Sequence, residues 1–223
     1  MKIIWTCTAG RRISYFIQMM DSFLDTCQDK DLISRFICID DRSEKRDLEI
    51  LKKRYPIIEF YNNLKYGQLN SLKLLLDLDA EYLFHTEDDW LFLADESYIT
   101  KCLKIMDLDN RIKQVTLRHW ETMYIKQNEF EYGMHVYSPF DTFRWNVVQY
   151  NDCDYPGLSF NPSLIDYKVF KKCIVAGKQD TPECRGWDKQ VAKAFWDFGY
   201  KRANLYGNYI KHIGKETYYT RNK

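Results

Sequence analysis

Several features that mark common classes of protein are scarce or absent in this chain. Its 223 residues include only 9 glycines, and none of them forms a G-x-G-x-x-G or P-loop motif, which argues against dinucleotide cofactors and P-loop nucleotide hydrolysis. The 7 cysteines are widely spaced and form no C-x-x-C pair, which argues against a zinc knuckle or a disulfide scaffold. The net charge is +1, without the basic excess expected of a protein that binds nucleic-acid phosphates.

Long hydrophobic runs are missing as well. No stretch approaches about 18 consecutive apolar residues, so the sequence predicts no membrane span. The opening segment, MKIIWTCTAGRR, is too short and too polar for a secretory leader. Together with unpaired thiols, these features predict a soluble, cytoplasmic protein, one that could act at a membrane surface.

Apolar and aromatic side chains are plentiful. Hydrophobic residues make up 45% of the chain and aromatic residues 16%, which is enough to build one buried core. The 17 tyrosines combine flat apolar rings with hydroxyl groups. That combination suits sugar ligands, although most of these rings are expected to fill the core.

Strand and helix patterns alternate along the first half of the chain. Short apolar runs predict four strands, at residues 3–8, 35–39, 57–61 and 82–86. Apolar residues spaced by three and four predict a helix between each strand and the next, so we expect an α/β fold with a mostly parallel central sheet and helices on both faces. The second half is less regular; its predicted strands are 114–117 and 158–160, and its predicted helices are 168–175 and 187–198.

Polar residues stand at the end of each of the four predicted strands. They are Thr8 with Arg11, Asp40 with Asp41, Asn62 with Asn63, and the run from Glu87 to Asp89. Ligands of parallel α/β sheets bind at the carboxyl ends of the strands. The pattern therefore predicts a binding site at this edge of the sheet.

The acidic run Glu87-Asp88-Asp89 is a candidate cation site. Three adjacent carboxylates repel one another, and burying them beside an apolar strand is costly unless a cation is present. Carboxylate oxygens are the ligands that hard divalent ions prefer, and such an ion can sit beside a diphosphate. The alternative is an acidic loop that caps the following helix.

The pair Asp40-Asp41 is a candidate nucleoside site. A carboxylate at a strand end can accept hydrogen bonds from ribose hydroxyls or from the N–H of a base. An ordinary Asp-rich turn explains the pair equally well.

Five short motifs follow one another over residues 1–95. They are Thr-Ala-Gly-Arg-Arg at 8–12 with Asp-Ser-Phe-Leu at 21–24, Ile-Asp-Asp-Arg-Ser at 39–43, Gly67 with Asn70, and Glu-Asp-Asp at 87–89. In order and spacing they resemble motifs of the GT-A glycosyltransferases, especially the family 2 type. Those enzymes carry a Thr-x-Asn-Arg turn, an Asp-Ser-Leu-Leu helix end, Val-Asp-Asp-Gly-Ser, a Gly and an Asn, and a metal-binding Asp-x-Asp. Here Glu replaces the first acid of that last motif.

The second half matches more loosely. Gly186-Trp187-Asp188 stands where the family often has Glu-Asp, whose Asp is the catalytic base of inverting members. His212 stands where a histidine near the C-terminus often completes the metal site. The resemblance implies one GT-A, Rossmann-like domain over residues 1–223 with a smaller acceptor-side sheet. Residues 1–95 would bind the nucleotide-sugar, and residues 96–223 would bind the acceptor and carry the catalytic half.

The activity implied by the resemblance is metal-dependent transfer of a sugar, with inversion, from a nucleotide-diphosphate sugar to a hydroxyl of a glycan or glycoconjugate. A UDP-sugar is the expected donor, Asp188 the base, and Mn²⁺ or Mg²⁺ the cofactor. The residues implied for the metal are Glu87, Asp89 and His212. The residues implied for the donor are Thr8, Ala9, Arg11, Asp40, Asp41, Asn70 and Asp88.

Two other functions fit parts of the same pattern. A nucleotidyltransferase acting on sugar phosphates also uses an α/β sheet and paired acids, but it usually has a glycine-rich, lysine-containing loop after its first strand. Residues 8–12 contain one glycine and no lysine. A non-catalytic sugar-binding module could keep the fold, although the intact acids and His212 argue against a decayed site.

Overall fold

Four parallel strands with helices between them form the first half of the fold. In this computed structural model the chain is described at residues 1–65, 67–117, 136–137, 144–147, 157–177 and 186–214. The strands are β1 (Ile3–Ala9), β2 (Ile33–Asp40), β3 (Ile58–Asn62) and β4 (Tyr82–Glu87), and they lie side by side in the order β3-β2-β1-β4. The four predicted strands are therefore confirmed.

The connecting helices cover both faces of the sheet. They are α1 (Ile13–Thr26), α2 (Lys45–Arg54) and α3 (Gln68–Lys73), with a short 3-10 turn at Lys30–Leu32 before β2. Alternate side chains of β1 face opposite sides, so Trp5 packs in a cluster with Phe23 of α1, while Ile4 packs in a second cluster with Leu72 of α3. The two apolar clusters confirm the expected helices on both faces.

The second half extends the same sheet. Its elements are β5 (Trp90–Phe92), α4 (Tyr98–Met106), β6 (Ile112–Thr116), β7 (Val136–Tyr137), β8 (Arg144–Val147), β9 (Ser163–Asp166), α5 (Tyr167–Ala176), α6 (Trp187–Asp197), β10 (Lys201–Tyr206) and β11 (Ile210–His212). The full strand order is β3-β2-β1-β4-β9-β6-β10-β8-β7. Because β9 is antiparallel to both β4 and β6, and β8 to both β10 and β7, the other seven strands all run in one direction. The central sheet is mostly parallel, as predicted.

The strand predicted at 158–160 is wrong. That segment is irregular, and the strand begins after it, at Ser163. Leu158 and Phe160 are apolar because they pack into the cluster beneath α5 and α6, and not because they belong to a ladder of the sheet. Short apolar runs do not distinguish these two kinds of burial.

A second, smaller sheet consists of β5 and β11, which pair antiparallel. In their register His212 lies opposite Trp90, the residue that follows the acidic run. The rings of these two residues are 4.8 Å apart. Among the described helices, none is long and apolar enough to cross a membrane.

Candidate active site

The polar ends of the four parallel strands meet in register at one edge of the sheet. Thr8 pairs with Glu87 across β1 and β4, and Ala9 pairs with Asp40 across β1 and β2. Asp40 in turn pairs with Asn62 of β3. The structure thus brings together the strand ends that the sequence marked as a site.

Two turns pack against each other at this edge. The backbone N–H of Asp41 donates to the carbonyl of Ala9 at 2.7 Å, and the backbone N–H of Arg11 donates to Oγ of Ser43 at 3.0 Å. Arg11 has a positive φ of 55°, and its Nε donates to the carbonyl of Arg42 at 3.1 Å. The turn after β1 is therefore fixed on the turn after β2, and Arg11 lies along their junction.

Asp40 and Asp41 have different environments. Asp40 is buried, and its Oδ2 accepts a hydrogen bond from the backbone N–H of Ser43 at 3.0 Å, which closes the turn. Burial raises the pKa of Asp40. In Asp41, Oδ2 accepts from the N–H of Gly67 at 3.0 Å, whereas Oδ1 is buried with no hydrogen-bond partner among the described residues. Asp41 therefore keeps one buried oxygen unpaired beside the site.

The start of α3 completes this side of the edge. Gly67 precedes α3 with a φ of 104°, a conformation that a residue with a side chain rarely adopts. Asn63 holds it there, since its Nδ2 donates to the carbonyl of Gly67 at 3.1 Å and to Oγ of Ser71 at 3.0 Å. Asn70 lies in the first turn of α3 and is half-buried.

The acidic run sits between β4 and β5, and its three carboxylates are held separately. Glu87 accepts from the side-chain amide of Gln68 and, at 3.3 Å, from the indole N–H of Trp90. Burial, and next the charge of Asp89, raise the pKa of Glu87 to about 7. Burial also raises the pKa of Asp88 to about 7, and the neighbouring Arg12 guanidinium opposes this rise.

Arg12 is the site residue that the sequence reasoning missed. Its Nε and Nη2 donate to the two oxygens of Asp88, and its Nη1 donates to Oδ2 of Asp89 at 2.7 Å. Burial disfavours the charge of Arg12, but the two carboxylates outweigh this and raise its pKa. Arg12 and Asp88 are 76 residues apart, and nothing in the local sequence pairs them.

Asp89 and His212 form a candidate cation site. The Nε2 atom of His212 lies 3.3 Å from Oδ2 of Asp89, and the backbone N–H of Ile213 donates to the carbonyl of Asp89 at 2.9 Å. Two ligands at right angles on an octahedral ion, each about 2.1 Å from it, are about 3 Å apart, so this pair fits two positions of a divalent ion. Within the described ranges no group of three or more His, Cys, Asp or Glu side chains converges. Glu87 stays outside the pair, with both oxygens hydrogen-bonded.

Asp188 lies in the first turn of α6 and is half-buried. The cap position belongs to Gly186, with a φ of 80°, and Oδ1 of Asp188 accepts from the backbone N–H of Lys189 at 3.0 Å. The ring of Trp187 packs on Phe160 at 5.1 Å, and Phe160 packs on His85 of β4 at 6.2 Å, so the start of α6 is anchored to the strand that ends in Glu87.

The fold is that of the GT-A nucleotide-sugar glycosyltransferases, as the sequence resemblance implied. No family model and no curated protein matches the sequence. Similar solved structures include Staphylococcus aureus TarS 1–349 with UDP-GlcNAc, at a TM-score of 0.64 and 11% identity over 100% of this chain and 61% of that one. GalNAc-T7 with UDP, GalNAc and Mn²⁺ has a TM-score of 0.62 and 11% identity over 95% of this chain and 44% of that one.

A third similar structure is the mannosyltransferase PcManGT from Pyrobaculum calidifontis with GDP-Man and Mn²⁺. Its TM-score is 0.60 and its identity 11%, over 97% of this chain and 59% of that one. This chain thus spans between 44% and 61% of the chains in these three comparisons. Identities this low establish the fold, and the activity is argued separately from the site.

Proposed function

We propose that this chain is a metal-dependent glycosyltransferase that moves a sugar from a UDP-sugar to a hydroxyl of a glycan or glycoconjugate, with inversion. One observation carries the proposal: at the carboxyl edge of a GT-A sheet, the unpaired acceptor of Asp41 follows β2 and the Asp89–His212 pair follows β4. The first suits a base or ribose and the second suits a cation beside a diphosphate.

The donor half of the proposal rests on residues 1–95. The unpaired Oδ1 of Asp41 can accept the N–H of a base, and the packed turns carrying Thr8, Ala9 and Arg11 lie beside it. Ala9 contributes backbone, because its side chain lies in the core. The similar TarS structure contains UDP-GlcNAc, which supports a uridine donor. Asp40 acts by closing the turn, and Asn70 lies on the neighbouring helix.

Asp89 and His212 would hold the ion, Mn²⁺ or Mg²⁺. When bound, the ion would neutralise the charge that develops on the departing diphosphate. Asp88 holds Arg12 beside Asp89 by accepting hydrogen bonds from two of its N–H groups. Glu87 accepts from Gln68 and Trp90 and is not part of this pair.

The acceptor side of the proposal rests on residues 96–223. The acceptor oxygen attacks the anomeric carbon as the bond from that carbon to the diphosphate oxygen breaks, and the nucleoside diphosphate leaves with the electron pair. Asp188, in the first turn of α6, takes the acceptor's proton.

A cytoplasmic location stays a prediction; it is supported by the free thiols of the described cysteines, which are Cys7, Cys27, Cys38, Cys102 and Cys173.

The decisive test is Asp89→Ala. We expect it to weaken Mn²⁺-dependent UDP binding by at least about 100-fold, because even groups that only support a metal ligand contribute about 10–100-fold. Turnover of the donor should be lost with it. The fold should survive, since Asp88 still pairs with Arg12 and one repelling charge is removed. Calorimetric titration of UDP with and without Mn²⁺ measures the binding. Turnover is measured with a donor first found in a panel of nucleotide-sugars.

The matched control is Asp79→Ala, a carboxylate that is paired with Lys2 on the surface and lies outside the site. It should leave UDP binding unchanged. Equal Mn²⁺-dependent UDP affinity in Asp89→Ala and the parent would reject the metal assignment. A parent protein that hydrolyses or transfers none of the nucleotide-sugars in the panel would reject the enzymatic function itself.

A further inference from the structure

Arg12 binds its two acidic partners unequally. Two of its nitrogens, Nε and Nη2, bond to Asp88, which is 1% exposed and also accepts from the N–H of Gly10 at 3.3 Å. Only Nη1 reaches Asp89. A bidentate guanidinium–carboxylate pair is the stronger and more rigid of these two arrangements. Asp88 is therefore the anchor of Arg12, and Asp89 is its second, weaker partner.

The weaker contact occupies the oxygen that a cation needs. Oδ2 of Asp89 accepts from Nη1 of Arg12 at 2.7 Å, and the same Oδ2 lies 3.3 Å from Nε2 of His212. A cation held by Asp89 and His212 through this oxygen competes with Arg12 for it. The two positive charges would then lie close together in a partly buried site, where their repulsion is stronger than in water. An anion placed between them would remove that penalty.

We propose that Arg12 is a positioning residue that keeps Asp89 occupied until a divalent cation arrives together with a nucleoside diphosphate. The inference rests on the proposed function and adds a coupling to it. When the cation takes Oδ2 of Asp89, Nε and Nη2 stay on Asp88, and the freed Nη1 donates to a diphosphate oxygen. Each of the two ligands, the cation and the nucleotide, therefore binds more tightly when the other is already bound, as linkage requires.

The experiment measures Mn²⁺ binding by the full chain with and without UDP, using the free Mn²⁺ signal in electron paramagnetic resonance. In Arg12→Gln, Mn²⁺ alone should bind about tenfold more tightly than in the parent, because its competitor for Asp89 is gone. The factor by which UDP improves Mn²⁺ binding should fall by about tenfold or more, because the diphosphate also loses the Nη1 contact. Arg35→Gln, which breaks the pair with Glu59 outside the site, is the matched control and should behave as the parent.

A second pair of variants covers the risk that Arg12→Gln does not fold, since it leaves the buried Asp88 without its cation. Asp88→Asn removes that charge while Arg12 can still hold Asp89. The double variant Arg12→Gln/Asp88→Asn removes both members of the anchor. Mn²⁺ alone should bind about tenfold more tightly to the double variant than to Asp88→Asn.

Unchanged or weaker binding of Mn²⁺ alone in both comparisons would overturn the inference, and it would make Arg12 only a structural partner of the acids. That outcome is distinct from failure of the proposed function. If the parent turns over a nucleotide-sugar with Mn²⁺ and only the coupling is absent, the coupling inference fails by itself. If the parent binds neither Mn²⁺ nor UDP, both proposals fail.

Discussion

Two neighbouring aspartates at the end of β2 have separate tasks. Asp40 is buried and bonds to the backbone of Ser43, so its carboxylate shapes the turn. In Asp41, Oδ2 accepts from the N–H of Gly67, and the buried Oδ1 has no hydrogen-bond partner among the described residues. Of two adjacent like residues, one thus closes a turn, and the other keeps an unpaired oxygen that the proposed function assigns to the donor.

Asp41→Asn should raise KM for the donor by about tenfold or more and leave kcat nearly unchanged, because a hydrogen bond made equally in the ground and transition states contributes to binding alone. The variant amide keeps an oxygen for Gly67 and puts an N–H group where the base needs an acceptor. Asp40→Asn is the comparison, and its main effect should be a lower melting temperature. Steady-state kinetics decides between them: an unchanged KM with a collapsed kcat in Asp41→Asn would contradict this assignment.

Asp188→Asn should lower kcat by about 10²–10⁴ while donor binding stays at the parental level, because the amide cannot take the acceptor's proton. The melting temperature should change little, since Gly186 occupies the cap position of α6 and the amide oxygen of Asn can accept from the N–H of Lys189 as the carboxylate does. Both quantities are measured on one sample. A parental kcat would reject Asp188 as the base, whatever the melting curve gives.

The two-stranded sheet of β5 and β11 brings the end of the described chain to the acidic run. Its register places His212 opposite Trp90, and the backbone then passes Asp89 so closely that a β-carbon on Gly214 would lie 2.4 Å from Oδ2. Residues 123 positions apart thereby share one site. The small sheet thus holds His212 beside Asp89.

Gly214→Ala should displace the Asp89 carboxylate and weaken Mn²⁺-dependent UDP binding by about tenfold, with only a small change in melting temperature, because the added methyl group meets a side-chain atom that can move. Lys211→Ala removes an exposed side chain from the same strand and is the matched control. Parental affinity in Gly214→Ala would mean that the position of this oxygen does not limit ion binding.

Across the whole molecule, a row of buried polar side chains crosses the sheet on the face of α5 and α6. Paired positions on β1, β4, β9, β6 and β10 carry Thr6, His85, Ser163, Thr116 and Asn204. His85 is fully buried; its Nδ1 lies 3.0 Å from Oγ1 of Thr6, and its Nε2 has no partner in the described part of the chain. Burial lowers the pKa of His85 to about 3.

This buried histidine should make the protein sensitive to acid. Because its pKa is lower in the folded state than the usual value of about 6.5, the unfolded chain binds the proton more readily, and the stability present above pH 6.5 is lost as pH falls towards 3. The slope from this group is about 1.4 kcal/mol per pH unit. Denaturant unfolding of the parent and His85→Asn at pH 7.5, 6 and 5 isolates it, since other groups titrate alike in both. Parallel pH profiles would contradict a buried, neutral His85.

The sequence by itself predicted the first four strands, their helices and the edge of the sheet at which their polar ends meet. Those features have local causes: apolar runs of strand length, apolar residues at helical spacing, and polar residues directly after each run. The strand predicted at 158–160 is wrong because Leu158 and Phe160 are apolar for packing under the helices. Periodicity does not separate residues buried in this way from residues of a strand.

Only the tertiary structure decided how the site is assembled. The insertion of β9 between β4 and β6, the pairing of β5 with β11, and the reach of Arg12 to Asp88 all join residues far apart in the chain. The sequence identified Asp89 and His212 as candidates, but their separation of 3.3 Å, and the guanidinium that shares the same oxygen, follow from packing. Local sequence fixes backbone preferences over a few residues, whereas which distant side chains meet depends on the packing of the whole sheet and its helices, which no short motif contains.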